Sequence, residues 1–403
     1  MTHVVVIGAG QAGSSLVAKL RNSGFEGKVT LIGAEAVPPY QRPPLSKAYL
    51  LGDMTLDRLF LRPESFYAEH AIDLRLNTRV TGIDRAARQV HVGGDVIAYD
   101  HLVLTTGSDP RRLPASIGGT LSGVFVVRDL ADVDAMAPHV VAGRRALIVG
   151  GGYIGLEAAA VAAKRGLQVT LVEMADRILQ RVAAPETSDY FRDLHQSHGV
   201  TIREGVGLDR LLGEGHVTGA RLSDGTELAV DLVIVGVGIA PATALAEAAG
   251  LEIENGIKVD ARGQTSDPAI WAAGDCASFP WKGGRIRLES VPNAIDQAEC
   301  VAENIMGAAK DYMATPWFWS DQYDVKLQIA GLNAGYDRTV LRPGDKPGSQ
   351  SVWYFRGDVL LAVDAMNDPR AYMIGKRLIE AGHSPAPAAV ADPATPLKSL
   401  MPA

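Results

Sequence analysis

The run Val4-Val-Val-Ile-Gly-Ala-Gly-Gln-Ala-Gly13 and its echo Arg145-Ala-Leu-Ile-Val-Gly-Gly-Gly-Tyr-Ile-Gly155 decide how this chain folds. Each opens on a short β-branched, apolar run, the pattern of a parallel strand buried on both faces. Each then enters three glycines spaced G-x-G-x-x-G: Gly8, Gly10 and Gly13 in the first, Gly150, Gly152 and Gly155 in the second. The first glycine permits a tight turn, the second lets backbone approach a pyrophosphate, and the third lets helix and strand pack closely. A helical stretch follows each turn, Ser14 to about Asn22 and Leu156 to Arg165, and then a second strand, Lys28–Ile32 and Gln168–Glu173. The chain therefore carries one βαβ plan twice.

Both plans end on an acid. Glu35 lies 35 − 13 = 22 residues past the last glycine of the first turn, and Glu173 lies 173 − 155 = 18 past that of the second. A carboxylate at such a strand end accepts a ribose hydroxyl. Two complete fingerprints imply two dinucleotides, and the economical pair is tightly held FAD with a nicotinamide nucleotide as electron donor. Glu173 accepts the 2′-OH of NAD and repels a 2′-phosphate. Met174 and Ala175 beside it supply no cation, so NADH is expected over NADPH. Farther on, Gly274-Asp275 closes the apolar run that starts at Ile270, and puts a carboxylate where it can bind the ribityl hydroxyls of FAD.

Composition sets the outer limits. The 403 residues allow two to three domains. Lys and Arg total 39 and Asp and Glu 46, so the net charge is −7, a poor balance for a nucleic-acid or anionic-membrane binder. No basic leader precedes Val4 and no run of eighteen apolar residues occurs, so neither export nor membrane insertion is expected and the expected address is the cytoplasm. Two cysteines, Cys276 and Cys300, exclude a disulfide framework. His195-x-x-His198 has ligand spacing on a helix but no third ligand nearby, so no metal site is expected. After Pro316 aromatics and alternating runs, Ser351–Arg356 and Val359–Val363, point to an antiparallel sheet with a helix near 371–381. The Ala/Pro-rich tail from Ser384 reads as extended, without a packed core.

Beyond these patterns, RPPLSKAYL (42–50), GGGYIGLEAAA (150–160), GDCA (274–277), ESVPNAIDQA (289–298) and WFWSDQYD (317–324) resemble the FAD-dependent pyridine nucleotide–disulfide oxidoreductase superfamily. Within it the chain is similar to the NADH-dependent ferredoxin reductases of oxygenase systems, over essentially its whole length. The resemblance implies an α/β fold: two Rossmann-like dinucleotide-binding domains plus a C-terminal α+β domain. An FAD domain would span 1–113 and 241–316, an NAD domain 114–240, and a flavin-covering domain 317–403. It also implies roles. Lys47 would sit beside the flavin, paired with Glu157, and offset negative charge on the reduced ring. Arg128 would contact the flavin region, Tyr153 would gate the nicotinamide pocket next to Ile154, and Val291, Pro292 and Trp319 would line the flavin.

The disulfide reductases of this superfamily carry two close cysteines beside the flavin, and its peroxidases and oxidases carry one. Residues 43–47 contain none, and Cys276 and Cys300 read as buried, inert thiols. A reduced flavin must then hand its electrons directly to an outside acceptor. The reaction expected is NADH to FAD, then single electrons to a transiently bound [2Fe–2S] ferredoxin that feeds a cytochrome P450 or another oxygenase, from a monomeric enzyme. A rubredoxin, monodehydroascorbate or dioxygenase reductase, an NADH oxidase or peroxidase, and a redox-sensing interaction module remain as alternatives. With nine Lys or Arg and nine Asp or Glu in 317–403, docking of an acidic ferredoxin would need a local basic patch; Arg62, Lys282, Arg285 and Arg287 are candidates.

Overall fold

The computed structural model describes residues 1–402. The chain divides into two compact units: residues 1–42, 55–109 and 239–316 form one, and 43–54, 110–238 and 317–403 the other.

In the first unit, the apolar run His3–Ile7 is the middle strand of a five-stranded parallel sheet. Lys28–Ile32 and Ile72–Arg75 lie to one side, His101–Leu104 and Ile270–Ala272 to the other. Every pair is in parallel register, so both faces need cover, and the four residues Val4–Ile7 are buried accordingly. The helices Gln11–Asn22 and Val291–Ile305 pack together on one face, with Leu16, Leu20, Ala298 and Val301 in the shared core.

The second unit repeats the plan. Arg145–Val149 is central, flanked by Gln168–Glu173 and Thr201–Glu204 on one side and by Leu232–Val235 and Val124–Phe125 on the other. In both units the connection from the third strand to the fourth is a three-stranded antiparallel meander: Val80–Asp84, Gln89–Val92 and Asp95–Ala98 in one, Leu208–Leu212, Gly219–Leu222 and Glu227–Ala229 in the other. The duplication thus runs well past the glycine turns. The copies differ in the fifth strand, which comes late in the chain in the first unit and precedes the central strand in the second.

The second unit also holds a five-stranded antiparallel sheet in the order Trp317–Gln322, Val325–Gly331, Val359–Met366, Gln350–Arg356, Arg338–Pro343. The helix Pro369–Glu380 covers one face, and Gly375 lets it approach Val363: a Cβ there would stand 2.5 Å from a Val363 methyl. The tail departs from the expectation of an extended, coreless segment. Pro387–Ala391 is helical, Leu397–Leu400 is a 3₁₀ turn, and Val390 and Leu400 are buried in the core of this sheet. Buried Arg342 holds the segment by donating to the carbonyls of Val390, Asp392, Pro393 and Thr395. An arginine outside every quoted motif offers no pattern that would have announced this.

Other boundaries shift by a few residues. The first helix starts at Gln11 rather than Ser14, and the second at Tyr153 rather than Leu156. Glycine turns feed straight into helix, so the first turn is already helical while it still reads as loop. Among the described residues no helix is long and apolar enough to cross a membrane.

Candidate functional site

The first glycine turn is built by steric exclusion. Gly8 has φ +113°, and a Cβ on it would stand 2.2 Å from the Thr105 carbonyl oxygen. A Cβ on Gly13 would stand 2.1 Å from the Gly8 carbonyl oxygen. Around Gly10 there is nothing within 4 Å of the Cβ position, although its backbone is extended and would accept any residue. Gly10 caps the helix Gln11–Asn22 with no side-chain hydrogen bond and no acid in the first turn. The N-terminal amides therefore face open space with the positive end of the helix dipole behind them, a cradle for phosphate.

The second turn matches it position for position. Gly150 has φ +106°, and its Cβ would stand 2.4 Å from the Gly236 carbonyl oxygen; that of Gly155 would stand 2.0 Å from the Gly150 carbonyl oxygen. Gly152 is open, and it caps the helix Tyr153–Lys164 with no side-chain bond and no first-turn acid. Both turns thus fit a dinucleotide pyrophosphate.

The two acids are held differently. Glu173 accepts the Gly151 N–H at 2.7 Å on one oxygen and the Ala175 N–H at 2.8 Å on the other, which pins it beside the turn. Glu35 accepts from the Tyr40 hydroxyl at 2.6 Å and pairs with Arg42 at 2.5 Å. Also in the first unit, Gly274 donates its N–H to Gln297 at 2.8 Å, and its Cβ position falls 3.1 Å from Ala12 and 3.7 Å from Ala294. Half-buried Asp275 therefore stands where the two helix N-termini converge. Val291 and Pro292 are the first two residues of the second of those helices, behind the Ser290 cap.

In the second unit Lys47 caps the short helix Ala48–Leu51 and reaches Glu157, with Nζ 2.6 Å from Oε2. Glu157 lies in the second turn of the helix Tyr153–Lys164, not the first, and is 6 % exposed, so neutralising the helix dipole is not its task. Ser46 donates to Oε2 at 3.0 Å and Ser320 to Oε1 at 2.7 Å. Two hydroxyl donors and one cation thus satisfy both oxygens of this buried carboxyl group. Alternation along Trp317–Gln322 explains Ser320: Phe318, Ser320 and Gln322 share one face, Trp317 and Trp319 the other. Phe318 packs against Tyr153 with ring centroids 5.0 Å apart, while half-buried Trp319 stacks on Trp317 at 5.6 Å. The Tyr153 hydroxyl is buried without a hydrogen-bond partner, and burial pushes its pKa well up. Ile154, next on the helix, is exposed. Arg128 is half-buried, and its backbone N–H donates to Asp132 at 3.1 Å within the cap of the helix Leu130–Met136.

The basic-patch candidates fare unequally. Arg285 donates to the carbonyls of Val259 and Ser278, and Arg287 donates to the Asp275 carbonyl and pairs with Glu289, so both are engaged within the chain. Lys282 and Arg62 lie over the rings of Trp281 and Phe66, at 4.5 Å and 4.7 Å. Both thiols are buried, which raises their pKa: Cys276 against the Leu104 and Ala273 carbonyls, Cys300 against that of Lys310. Sequence reasoning missed Ser46, Ser320, Gln322 and His195 as a polar set. The period-2 pattern of 317–322 was the available signal for the middle pair.

The profile of the pyridine nucleotide-disulphide oxidoreductases matches residues 2–298, and that of the reductase C-terminal domain matches residues 317–401. The chain is 45% identical to a ferredoxin–NAD(P)(+) reductase of Sphingomonas sp., over 99% of this chain and 98% of the relative. It is 42% identical to putidaredoxin reductase of Pseudomonas putida, over 99% and 96%. The solved covalent putidaredoxin reductase–putidaredoxin complex superposes with a TM-score of 0.95 at 41% identity, covering 99% of this chain and 98% of that one. With two matched glycine turns, a buried Lys–Glu pair and both profiles spanning nearly its whole length, the chain belongs to the pyridine nucleotide-disulphide oxidoreductase family, in the form that carries the reductase C-terminal domain.

Proposed function

We propose that the chain is an FAD-dependent NADH:ferredoxin oxidoreductase that delivers electrons singly to a [2Fe–2S] ferredoxin of a cytochrome P450 or other oxygenase system, working as a cytoplasmic monomer. The observation that carries this reading is the doubled phosphate cradle in a chain whose 43–47 segment presents Lys47 and no thiol. When bound, FAD accepts a hydride from NADH and releases the two electrons one at a time.

The protein's share is binding, positioning and charge. Gly8, Gly10 and Gly13 with the helix behind them hold the FAD pyrophosphate, and Glu35 and Asp275 take hydroxyls of its ribose and ribityl chain. Gly150, Gly152 and Gly155 do the same for NADH, and Glu173 reads the ribose 2′-OH. Tyr153 and Ile154 at the head of that helix bound the nicotinamide site. Lys47 offsets negative charge as the reduced form accumulates, and Glu157 fixes its Nζ. Arg128, Val291, Pro292 and Trp319 complete the flavin surround. Relatives support the acceptor: one is named a ferredoxin–NAD(P)(+) reductase, and the solved complex is with putidaredoxin.

The test is rapid-mixing reduction by NADH followed by turnover against a panel of acceptors. The enzyme should purify yellow, bleach with NADH and reduce [2Fe–2S] ferredoxins far faster than peroxide or disulfides. Lys47→Met should slow reduction by NADH roughly tenfold to a hundredfold, as loss of one preorganised charge does. A colourless protein that does not take up flavin would refute the reading, and so would a mixed disulfide trapped at Cys276 or Cys300 during turnover.

A further inference from the structure

His195 and His198 bear ligand chemistry that the reading above leaves unused. His195 is fully buried, with Nε2 2.8 Å from Oε1 of Gln322 and Nδ1 3.2 Å from the Tyr323 hydroxyl. His198 stacks on the same tyrosine, ring centroids 3.7 Å apart. From Gln322 the contacts continue: its Nε2 donates to Ser320 Oγ at 3.2 Å, and Ser320 Oγ donates to Glu157 Oε1 at 2.7 Å. Oε2 of Glu157 takes Lys47 at 2.6 Å and Ser46 at 3.0 Å. One unbroken string of side chains, all in the second unit, runs from Tyr323 to Lys47.

Chemistry at the carboxylate end sets its direction. An ionised carboxylate only accepts, so Ser320 must donate to Oε1. The Ser320 oxygen then accepts from the Gln322 amide, whose carbonyl oxygen is left to accept from His195. Neutral His195 therefore carries its proton on Nε2, and Nδ1 accepts from Tyr323. Burial holds His195 neutral by lowering its pKa to about 4, and burial raises that of Tyr323, which remains a donor. The Gln322 amide does not relay protons, so the string orients groups rather than conducting.

Tyr323 adds an independent mark. It sits at the hairpin tip between Trp317–Gln322 and Val325–Gly331 with φ +56°, a conformation costly for a bulky side chain. Such strain persists only where surroundings over-determine it, and clusters where geometry is used. Here the ring is fixed by stacking on His198 and bonding to His195.

We propose that His195 is a positioning residue for the Lys47–Glu157 pair: held as the Nε2–H tautomer with Tyr323 donating to Nδ1, it fixes the Gln322 amide and through it Ser320, so that Ser320 donates to Oε1 of Glu157 and Oε2 is left to Lys47. The functional half rests on Lys47 being the flavin-side cation; the string itself does not.

Two measurements on the flavin-loaded protein test it. The first is ¹⁵N-histidine NMR, His195 being assigned by its loss in His195→Asn. In the wild type His195 should be the neutral Nε2–H form. In Glu157→Gln, Lys47 and Ser46 still need an oxygen, so the amide nitrogen faces Ser320 and donates; every donor along the string turns round, and the proton moves to Nδ1. Ser320→Ala cuts the string and should leave a mixture of tautomers. An unchanged Nε2–H form in both variants overturns the proposal. The second is a double-mutant cycle. Gln322→Leu should slow reduction by NADH roughly tenfold, and have no effect in the Lys47→Met background, because groups in one hydrogen-bond network couple. Equal slowing in both backgrounds makes Gln322 a packing group and overturns the role. A wild-type rate in Lys47→Met alone would sink the reading of Lys47, while an unmoved tautomer would sink the string and leave Lys47 untouched.

Discussion

In the proposed NADH site, coenzyme choice is assigned to Glu173. Its two oxygens are fixed by the Gly151 and Ala175 N–H groups, so the carboxylate cannot swing away from an incoming ribose. A 2′-phosphate would meet that fixed charge with no arginine beside it, since the next residue is the exposed Met174. NADH should therefore exceed NADPH in kcat/KM by at least about tenfold, which corresponds to about 1.4 kcal/mol, and Glu173→Ala should narrow the gap. Steady-state kinetics with both coenzymes checks this; a preference for NADPH would refute it. The spacing of Glu173 from the second glycine turn was legible in the sequence. That Glu35 would be bound by Tyr40 and Arg42 was not, because that contact depends on how the following proline-rich loop folds back.

At the scale of elements, the two glycine turns make a sharp contrast. Gly13→Ala drives a methyl into the Gly8 carbonyl at 2.1 Å, backbone against backbone, and should cost roughly 3 kcal/mol or more of stability. Gly10→Ala meets nothing within 4 Å and keeps an ordinary extended backbone, so the flavin-free protein should melt within about 0.5 kcal/mol of the wild type. Its methyl would instead fill the phosphate cradle and lower flavin content on purification. Gly152→Ala should spare the flavin and raise KM for NADH. Calorimetry of stripped protein with flavin absorbance of the purified forms separates the cases; equal loss of stability in Gly10→Ala and Gly13→Ala would show the cradle reading to be wrong. These turns were legible because a glycine rule acts over a few residues. The paired meanders were not, since their short, half-exposed strands lack strong periodicity.

Over the whole molecule, two buried groups oppose each other in acid. Asp364 accepts from Thr187 at 2.8 Å and from Tyr354, yet burial raises its pKa to about 6. Folded protein then holds this proton more tightly than unfolded chain, whose carboxyl titrates near 3.8. The resulting cost is absent below about pH 4, grows to about pH 6 and stays constant above, reaching at most roughly 3 kcal/mol. His195 works the other way: its pKa is lowered to about 4, so its stabilisation is complete above about pH 6.5 and lost as pH falls toward 4. Asp364→Asn should therefore raise Tm by about 3 °C or more at pH 7.5, with the gain shrinking at pH 4.5. Scanning calorimetry at the two pH values reads this directly, and a gain independent of pH would show that Asp364 does not carry the raised pKa.

What the amino-acid sequence determined alone is the local plan: two strand–glycine–helix turns, their strand-end acids, and a thiol-free segment at 43–47. Backbone sterics and the 2- and 3.6-residue periods act within about thirty residues, so neighbours in the chain suffice to specify them. Only the tertiary structure decided which polar groups meet. Glu157 finds Lys47 across 110 positions and Ser320 across 163, and His195 finds Gln322 across 127. Buried hydrogen-bonding groups must be satisfied by whatever the topology brings to them, and no rule of spacing carries that information.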